Sequence, residues 1–136
     1  MSLAFTKLQN FVADIANGVY ILNADQLAVA LTDVAPTATN RLLSDLTQIS
    51  YTNLSSRNIT TTSSVETSGT YNLKLNSLTL TANGTVDQFQ YIVIYDTIPS
   101  GGRLIGWFDY GSEVKMLSGD TLPITFDGTN GLLSIA

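Results

Sequence analysis

The sequence predicts a mainly β protein: a single-domain β-sandwich or jelly roll over residues 1–136, with one N-terminal α-helix. Three observations support this prediction. About eight short runs of alternating or continuously apolar residues follow one another from residue 26 onward. Glycine, proline, asparagine and aspartate separate these runs at intervals of about eight to twelve residues. Only the first segment clearly has a helical period, and no linker, charge block or internal repeat divides the chain.

The N-terminal segment, residues 1–18, is predicted to form a helical arm or cap, with the helix itself at residues 5–17. Four apolar residues within it recur at the spacing of a single helix face. Thr6 is placed to cap the N-terminus, and Gly18 tolerates the left-handed backbone that commonly ends a helix. The helix either covers an open end of its own sheet or docks as an arm on a neighbouring protein. The four apolar residues are Leu8, Phe11, Val12 and Ile15.

Strands are predicted wherever apolar residues alternate or run on continuously between turn signals. Residues 70–75 and 77–82, separated by Asn76, are predicted to form a hairpin. Residues 40–49 carry leucines at helix-like spacing and are predicted to be a short helix or an ordered loop. The predicted strands are residues 26–32, 58–67, 70–75, 77–82, 88–96, 104–108, 112–117, 121–127 and 132–136.

Two of these strands, residues 88–96 and 104–108, are apolar on both faces. Such a strand must be covered on both sides, and in a sandwich the opposing sheet covers only one of them. The second cover must be the N-terminal helix, a long loop or another subunit. Large apolar residues on these strands and near the N-terminus are therefore predicted to form a protein interface. These candidate interface residues are Leu3, Phe5, Tyr91, Tyr95, Trp107, Phe108 and Tyr110.

The composition fits a surface that lies against other proteins. Only 12% of the residues are charged, compared with about 25% in typical soluble domains. Hydroxyl and amide groups lose little on desolvation because they form new hydrogen bonds across a contact, whereas buried charges must be paired. The same composition also fits a neutral β domain that has no partner.

The charge pattern and the hydropathy argue against nucleic-acid and membrane partners. The net charge is −5, and the 6 basic residues are scattered singly rather than along a track that would release phosphate counterions. The longest apolar runs are about five residues, far short of the roughly 20 that a membrane helix needs. No basic segment followed by an apolar run stands at the N-terminus, so no signal peptide is predicted.

Histidine and cysteine are both absent from the sequence, which excludes most catalytic and metal-binding constellations. Without them there is no Ser-His-Asp or Cys-His triad, no thiolate chemistry and no imidazole metal ligand. The side chain best suited to proton transfer near neutral pH is also missing. We therefore expect no enzymatic activity, no catalytic residues, no cofactor and no metal site.

Carboxylates leave two glycan-related alternatives open. Asp96, Asp109 and Asp127 each end or follow a predicted strand, and such ends can gather at one rim of a sandwich. Trp107 and Tyr110, on either side of Asp109, could stack on a sugar ring. This arrangement would suit a glycan-binding module or, less favourably, a pair of carboxylates that cleaves glycosidic bonds. Aspartate at a strand end is nevertheless common because its side chain bonds to turn backbone.

The loop at residues 127–130 contains closely spaced oxygen ligands of the kind that Ca²⁺ uses. It lacks the regular aspartate spacing and the bidentate glutamate of a calcium loop. A turn with two glycines, Gly128 and Gly131, is the simpler interpretation.

Seven stretches, taken in order, carry a resemblance that spans nearly the whole chain. They are FVADI at residues 11–15, LAVALTD at 27–33 with AP at 35–36, LSDLTQI at 43–49, SGTY at 68–71, YIVIYD at 91–96, LIGWFDYGS at 104–112 and FDGTNGL at 126–132. In these stretches the chain resembles a family of small virion proteins from tailed bacteriophages. The shared motifs are structural patterns that carry no catalytic chemistry.

The resemblance implies a structural component of the virion, without enzymatic activity, at the capsid surface. Capsid cement or decoration proteins of this size are often β-sandwich trimers that sit at threefold positions. The implied partners are the major capsid protein and further copies of the same chain in a homotrimer. A receptor-binding or glycan-binding module of a phage tail or head fibre is the alternative role.

Overall fold

A computed structural model describes residues 4–127 and 131–135 and shows, in this part of the chain, ten strands, one α-helix and one short 3-10 helix. The predicted fold class, mainly β with one N-terminal helix, is confirmed. In chain order the elements are β1 (Phe5–Lys7), α1 (Gln9–Ala16), β2 (Leu27–Thr32), a 3-10 helix (Leu43–Asp45), β3 (Asn58–Ile59), β4 (Thr61–Thr67), β5 (Thr70–Leu75), β6 (Leu78–Thr81), β7 (Phe89–Asp96), β8 (Arg103–Val114), β9 (Thr121–Ile124) and β10 (Leu133–Ile135).

The described strands form three antiparallel sheets, with the orders β1-β8-β7-β2-β3, β10-β5-β4 and β6-β9. Buried side chains from all three sheets pack into one cluster, the main core. The five-stranded sheet therefore faces the two smaller sheets, which is consistent with a β-sandwich; the jelly-roll connectivity stays a prediction. Large residues of the main core that are fully buried include Phe11, Leu27, Val29, Leu31, Leu73, Leu80, Phe89, Ile92, Ile94 and Ile105.

The opposite face of the five-stranded sheet carries a second cluster, the outer cluster. Its cover is the chain's own segment at residues 41–49, from which Leu43 and Leu46 pack against the buried residues. Backbone hydrogen bonds hold this segment to the sheet at both ends, from Leu43 N to Gly102 O (3.2 Å) and from Ile49 N to Leu31 O (3.1 Å). A long loop is thus the second cover for much of this face. The buried members of the outer cluster are Leu8, Ala28, Ala30, Val93, Tyr95 and Leu104.

The helix begins later than its sequence period predicts. Residues Phe5–Lys7 form β1 instead, which pairs antiparallel with β8. The predicted N-cap at Thr6 is therefore wrong. Leu8 occupies the N-cap with an extended backbone and makes no side-chain capping bond. The three residues before it are diverted because an open edge of β8 offers a full set of backbone partners.

The buried face of α1 also differs from the prediction. Phe11 is buried as expected, but Val12 is 58% exposed and Asp14 takes a buried place in its stead. Ion pairs with Arg41 and Arg103 balance the charge of Asp14 at this position. The apolar period therefore predicts that a helix is present but does not predict which of its faces packs against the sheet.

The predicted hairpin of residues 70–75 with residues 77–82 is wrong, although both segments are strands. β5 pairs with β4 across a turn at Ser68 and Gly69, and with β10 on its other side. β6 pairs with β9 in a different sheet. The positive φ angles of Ser68 and Gly69, 52° and 86°, fit the tight two-residue turns of β-hairpins.

The central strands follow the prediction closely. β7 covers the predicted segment 88–96 almost completely, and β2 covers the predicted segment 26–32. The predicted strand at 104–108 and the first half of the one at 112–117 form one long strand, β8, which continues through Gly111 at a φ of 90°. Only a glycine passes through that conformation without steric cost, so Gly111 lets the two predicted segments continue as one strand.

Candidate protein interface

Two of the predicted interface residues lie inside the protein. Tyr95 is only 7% exposed and belongs to the outer cluster beneath residues 41–49. Phe108 faces the main core, with its ring centroid 5.0 Å from that of Phe5 and 6.1 Å from that of Phe126. The prediction that Tyr95 lies at a protein interface is therefore wrong, because a long loop, one of the three covers that the sequence allowed, shelters it.

Three further predicted interface residues contribute little exposed surface among the described residues. Phe5 and Tyr110 are partly buried, and both pack against the main core. Leu3 lies outside the described residues. Phe5 and Tyr110 therefore contribute chiefly to the protein's own interior.

Tyr91 and Trp107 are the predicted residues that stay partly exposed on the outer face of the five-stranded sheet. Their ring centroids are 5.7 Å apart and their planes meet at 69°, an edge-to-face geometry that aromatic pairs favour. Trp107 also packs against the outer cluster. Because both rings are already held in place, a partner that covers them orders few new side-chain torsions.

Asp109 adds a fixed negative charge beside the aromatic pair. It stands opposite Tyr91 in the register of β7 and β8. Its Oδ1 accepts hydrogen bonds from Gln90 Nε2 (2.9 Å) and from the Gly111 backbone N–H (2.7 Å), and these bonds lower the pKa of Asp109 below its ordinary value. We call Gln90, Tyr91, Trp107 and Asp109 the outer patch.

The predicted rim of carboxylates does not form between Asp96 and Asp109. Asp96 is buried at one end of β7, whereas Asp109 is exposed opposite Tyr91, near the other end of that strand. The five residue-to-residue steps from Tyr91 to Asp96 span about 16 Å, beyond the roughly 9.5 Å that separates glycosidase carboxyls at most. Asp127 closes the first described segment, and the candidate ion-binding loop at 127–130 falls largely outside the described residues.

An apolar groove that the sequence did not predict lies between the end of α1, the loop after it and the β10-β5-β4 sheet. Its volume is about 470 Å³, within the usual range of ligand and side-chain pockets. Ile21 is 57% exposed at this groove although it is a large apolar residue. Six apolar or aromatic residues make up most of the lining, with Asn23, Ser64 and Glu66 as the polar ones. The six are Ile15, Tyr20, Ile21, Leu22, Tyr71 and Ile135.

A buried polar network holds α1 next to the groove. The carboxylate of Asp14 forms an ion pair with Arg41 Nε at 3.2 Å and accepts a hydrogen bond from an Arg103 guanidinium nitrogen at 3.4 Å. Tyr20 donates its hydroxyl proton to the Leu104 carbonyl at 2.6 Å. Burial, and next the charge of Asp14, raise the pKa of Tyr20, so its hydroxyl stays a donor. The network therefore fixes the helix and the loop that line the groove.

Two further kinds of site are absent from the described residues. Within residues 4–127 and 131–135, no group of three or more histidine, cysteine, aspartate and glutamate side chains is placed to hold a metal ion. Across these same ranges, no helix has both the length and the apolar character that crossing a membrane requires. The outer patch and the groove are the features left to explain.

Comparison of the chain with protein-family models, with curated proteins and with solved structures gives no match. The resemblance to phage virion proteins therefore stays a prediction from sequence. Any functional conclusion has to rest on that prediction together with the two surfaces described above.

Proposed function

We propose that the protein is a non-enzymatic structural component of a phage virion, which binds the outside of the capsid as a trimeric cement or decoration protein. Its partners are then the major capsid protein and further copies of itself. One observation carries the proposal beyond the family resemblance: the domain has two partly exposed apolar surfaces on opposite sides of one sheet.

The outer patch and the groove lie on opposite sides of the five-stranded sheet because each adjoins a different hydrophobic cluster. Trp107 of the outer patch packs against the outer cluster, whereas Tyr20 and Leu22 of the groove are buried in the main core. The five-stranded sheet lies between these clusters. A protein that holds two neighbours together needs two surfaces that do not compete for the same partner, and this arrangement supplies them.

The available area is sufficient for bridging. The chain exposes 6799 Å² in total. A standard protein contact covers about 800 Å² on each partner, so two such contacts would use about a quarter of this surface. Simultaneous contacts then reinforce one another by raising the effective concentration of the second partner. Low surface charge helps, because few ions have to be desolvated when these contacts form.

The test compares particles that lack the protein with the same particles after purified protein is added back. We expect wild-type protein to raise the temperature at which the particles release their nucleic acid. Trp107→Ala and Ile21→Ser, one change on each surface, should each weaken binding to the particles at least about tenfold, as truncation of a hot-spot residue does.

A matched control is Leu117→Ser, because Leu117 is 54% exposed, much like Ile21, but precedes a turn and belongs to neither the groove nor the outer patch. It should bind within about twofold of wild type, where twofold corresponds to roughly 0.4 kcal/mol. Circular dichroism establishes that each variant is folded. Unchanged heat resistance, together with absence of the protein from native particles, would remove the cement role.

The outer patch also favours a second candidate, a receptor-binding or glycan-binding module of a phage fibre. The partly exposed ring of Trp107 beside Asp109 and Gln90 offers a stacking surface next to hydrogen-bonding groups, which is the combination that sugar rings need. Glycan-array binding that Trp107→Ala abolishes would favour this candidate. Capsid binding without any glycan binding would favour the cement role.

A further inference from the structure

Asp96, at the end of β7, is a fully buried carboxyl group in which only one of the two oxygens has a hydrogen-bond partner among the described residues. Its relative exposure is 0%. Oδ1 accepts a hydrogen bond from the Ile98 backbone N–H at 3.1 Å, whereas Oδ2 has no hydrogen-bond partner in the described structure. An ionised carboxylate in this position would leave a buried acceptor unsatisfied, which is costly.

The side chain that approaches Asp96 is a second acid. Asp25 lies within hydrogen-bonding reach of it, at the end of the loop that lines the groove. Asp25 also holds the shape of that loop, because its Oδ2 accepts the Ile21 N–H at 3.1 Å and its own N–H donates to the Ile21 carbonyl at 2.8 Å. Two ionised carboxylates at this distance repel, but one proton between them turns repulsion into a hydrogen bond.

No neighbouring arginine neutralises Asp96 in place of the proton. Arg103 is the register partner of Asp96 on β8, but its guanidinium makes its ion pair with Asp14. Arg41 is engaged with the same carboxylate of Asp14, and Tyr20 donates to a backbone carbonyl. Within residues 4–127 and 131–135 no cation lies within salt-bridge distance of Asp96, so neutralisation by a proton is what remains.

We propose that Asp25 and Asp96 share one proton, and that this protonated pair is a pH-sensitive latch between the groove-lining loop and the end of β7. The proton sits on Asp96, and the Oδ2–H of Asp96 donates to the carboxylate of Asp25. The otherwise unsatisfied oxygen thereby gains a partner. Loss of the proton restores the repulsion and loosens the loop that carries Ile21.

The raised pKa of Asp96 sets the direction in which folding stability changes with pH. Burial first, and the neighbouring Asp25 next, raise the pKa of Asp96 from the ordinary aspartate range to about 7. Below pH 4 the carboxyl of Asp96 is protonated in both the folded and the unfolded chain, and the latch contributes fully to the stability of the folded protein. Between pH 4 and pH 7 the unfolded chain ionises while the folded chain keeps its proton, so stability falls as the pH rises.

The direct test is a ¹³C NMR titration of the side-chain carboxyl groups in the full-length protein. We expect one aspartate carboxyl to titrate near pH 7, and this transition to disappear in Asp96→Asn. In Asp25→Asn the transition should move towards lower pH, because the neighbouring negative charge is gone. The exposed Asp87 provides a control, and Asp87→Asn should leave the transition in place.

A second readout is the denaturation midpoint in urea, measured from pH 4 to pH 8. The wild-type midpoint should fall as the pH rises. Asp96→Asn should flatten this fall, because the amide donates to Asp25 at every pH. The latch is overturned if no carboxyl of the wild type titrates above about pH 5, a result that needs no variant to fold. It is equally overturned if Asp25→Asn leaves both the titration and the pH slope unchanged.

Discussion

At the scale of single residues, Gly106 shows how one position decides whether β1 can join the sheet. A Cβ atom there would collide with the ring of Phe5 and would lie 2.5 Å from the Thr6 carbonyl oxygen. The missing side chain therefore lets the Phe5 ring lie over β8 and pack, tilted, against Phe108. Glycine is needed at position 106 because β1 lies so close to it. The backbone conformation does not demand glycine, since Gly106 has no positive φ angle.

We predict that Gly106→Ala destabilises the protein by about 1–3 kcal/mol, the usual cost of inserting a methyl group where there is no space. The reason is displacement of β1 and of Phe5 from the core edge. Urea denaturation measures the loss, and Ser112→Ala, at an exposed position of the same strand, is the control. An unchanged midpoint for Gly106→Ala would show that β1 is not packed as described.

Sequence patterns identified the aromatic residues of β8 but could not assign all of them to a face. Strict alternation would place residues 105 and 107 on one side and residues 104 and 108 on the other. In the protein, Tyr95 pairs with Leu104 while Ile94 pairs with Gly106, so Ile105 is an extra residue in the ladder. This irregularity turns Trp107 outward and Phe108 inward. Bulges depend on the partner strand, which a single strand's pattern does not contain.

At the scale of elements, α1 is held by an ion network that an apolar period cannot reveal. The buried carboxylate of Asp14 joins the helix to β8 through Arg103 and to the covering segment through Arg41. In the sequence, Arg41 and Arg103 are two of the singly scattered basic residues, and nothing local links them to Asp14. Their meeting depends on chain segments about 27 and 89 positions from Asp14, and no local rule predicts such a contact.

We predict that Asp14→Asn lowers the free energy of unfolding by about 2 kcal/mol. This is less than the 3–5 kcal/mol for breaking a fully buried pair, because both arginines still reach solvent. Chemical denaturation measures the change. The double variant Asp14→Asn with Arg41→Met should cost less than the sum of the single changes, since the two residues interact. Strict additivity would contradict the network.

The pairing of β5 and β6 shows a second limit at this scale. Two alternating runs joined by Asn76 look like a hairpin, yet Asn76 donates its N–H to the Thr60 carbonyl and the two strands part into different sheets. Alternation establishes that a strand exists and which face is apolar. It does not specify the neighbour, because the partner is chosen by packing in three dimensions.

At the scale of the whole molecule, the sequence predicted the fold class and the central strands correctly but placed the exposed apolar surface only in part. The outer patch keeps Tyr91 and Trp107 from the prediction, while Tyr95 is covered by the chain's own loop. The groove around Ile21 and Ile135 was missed, because it forms only where a loop meets the edge of another sheet. The apolar pair Ile21 and Leu22, outside any strand pattern, was the available signal.

The proposed function requires that the groove and the outer patch each contact a different polypeptide on the capsid. Electron cryomicroscopy of intact particles that carry the protein tests it most directly. The proposed function predicts density for the domain on the outer capsid surface, with Trp107 and Ile21 facing two different chains. Particles that lack this density, or that show both residues open to solvent, would contradict it.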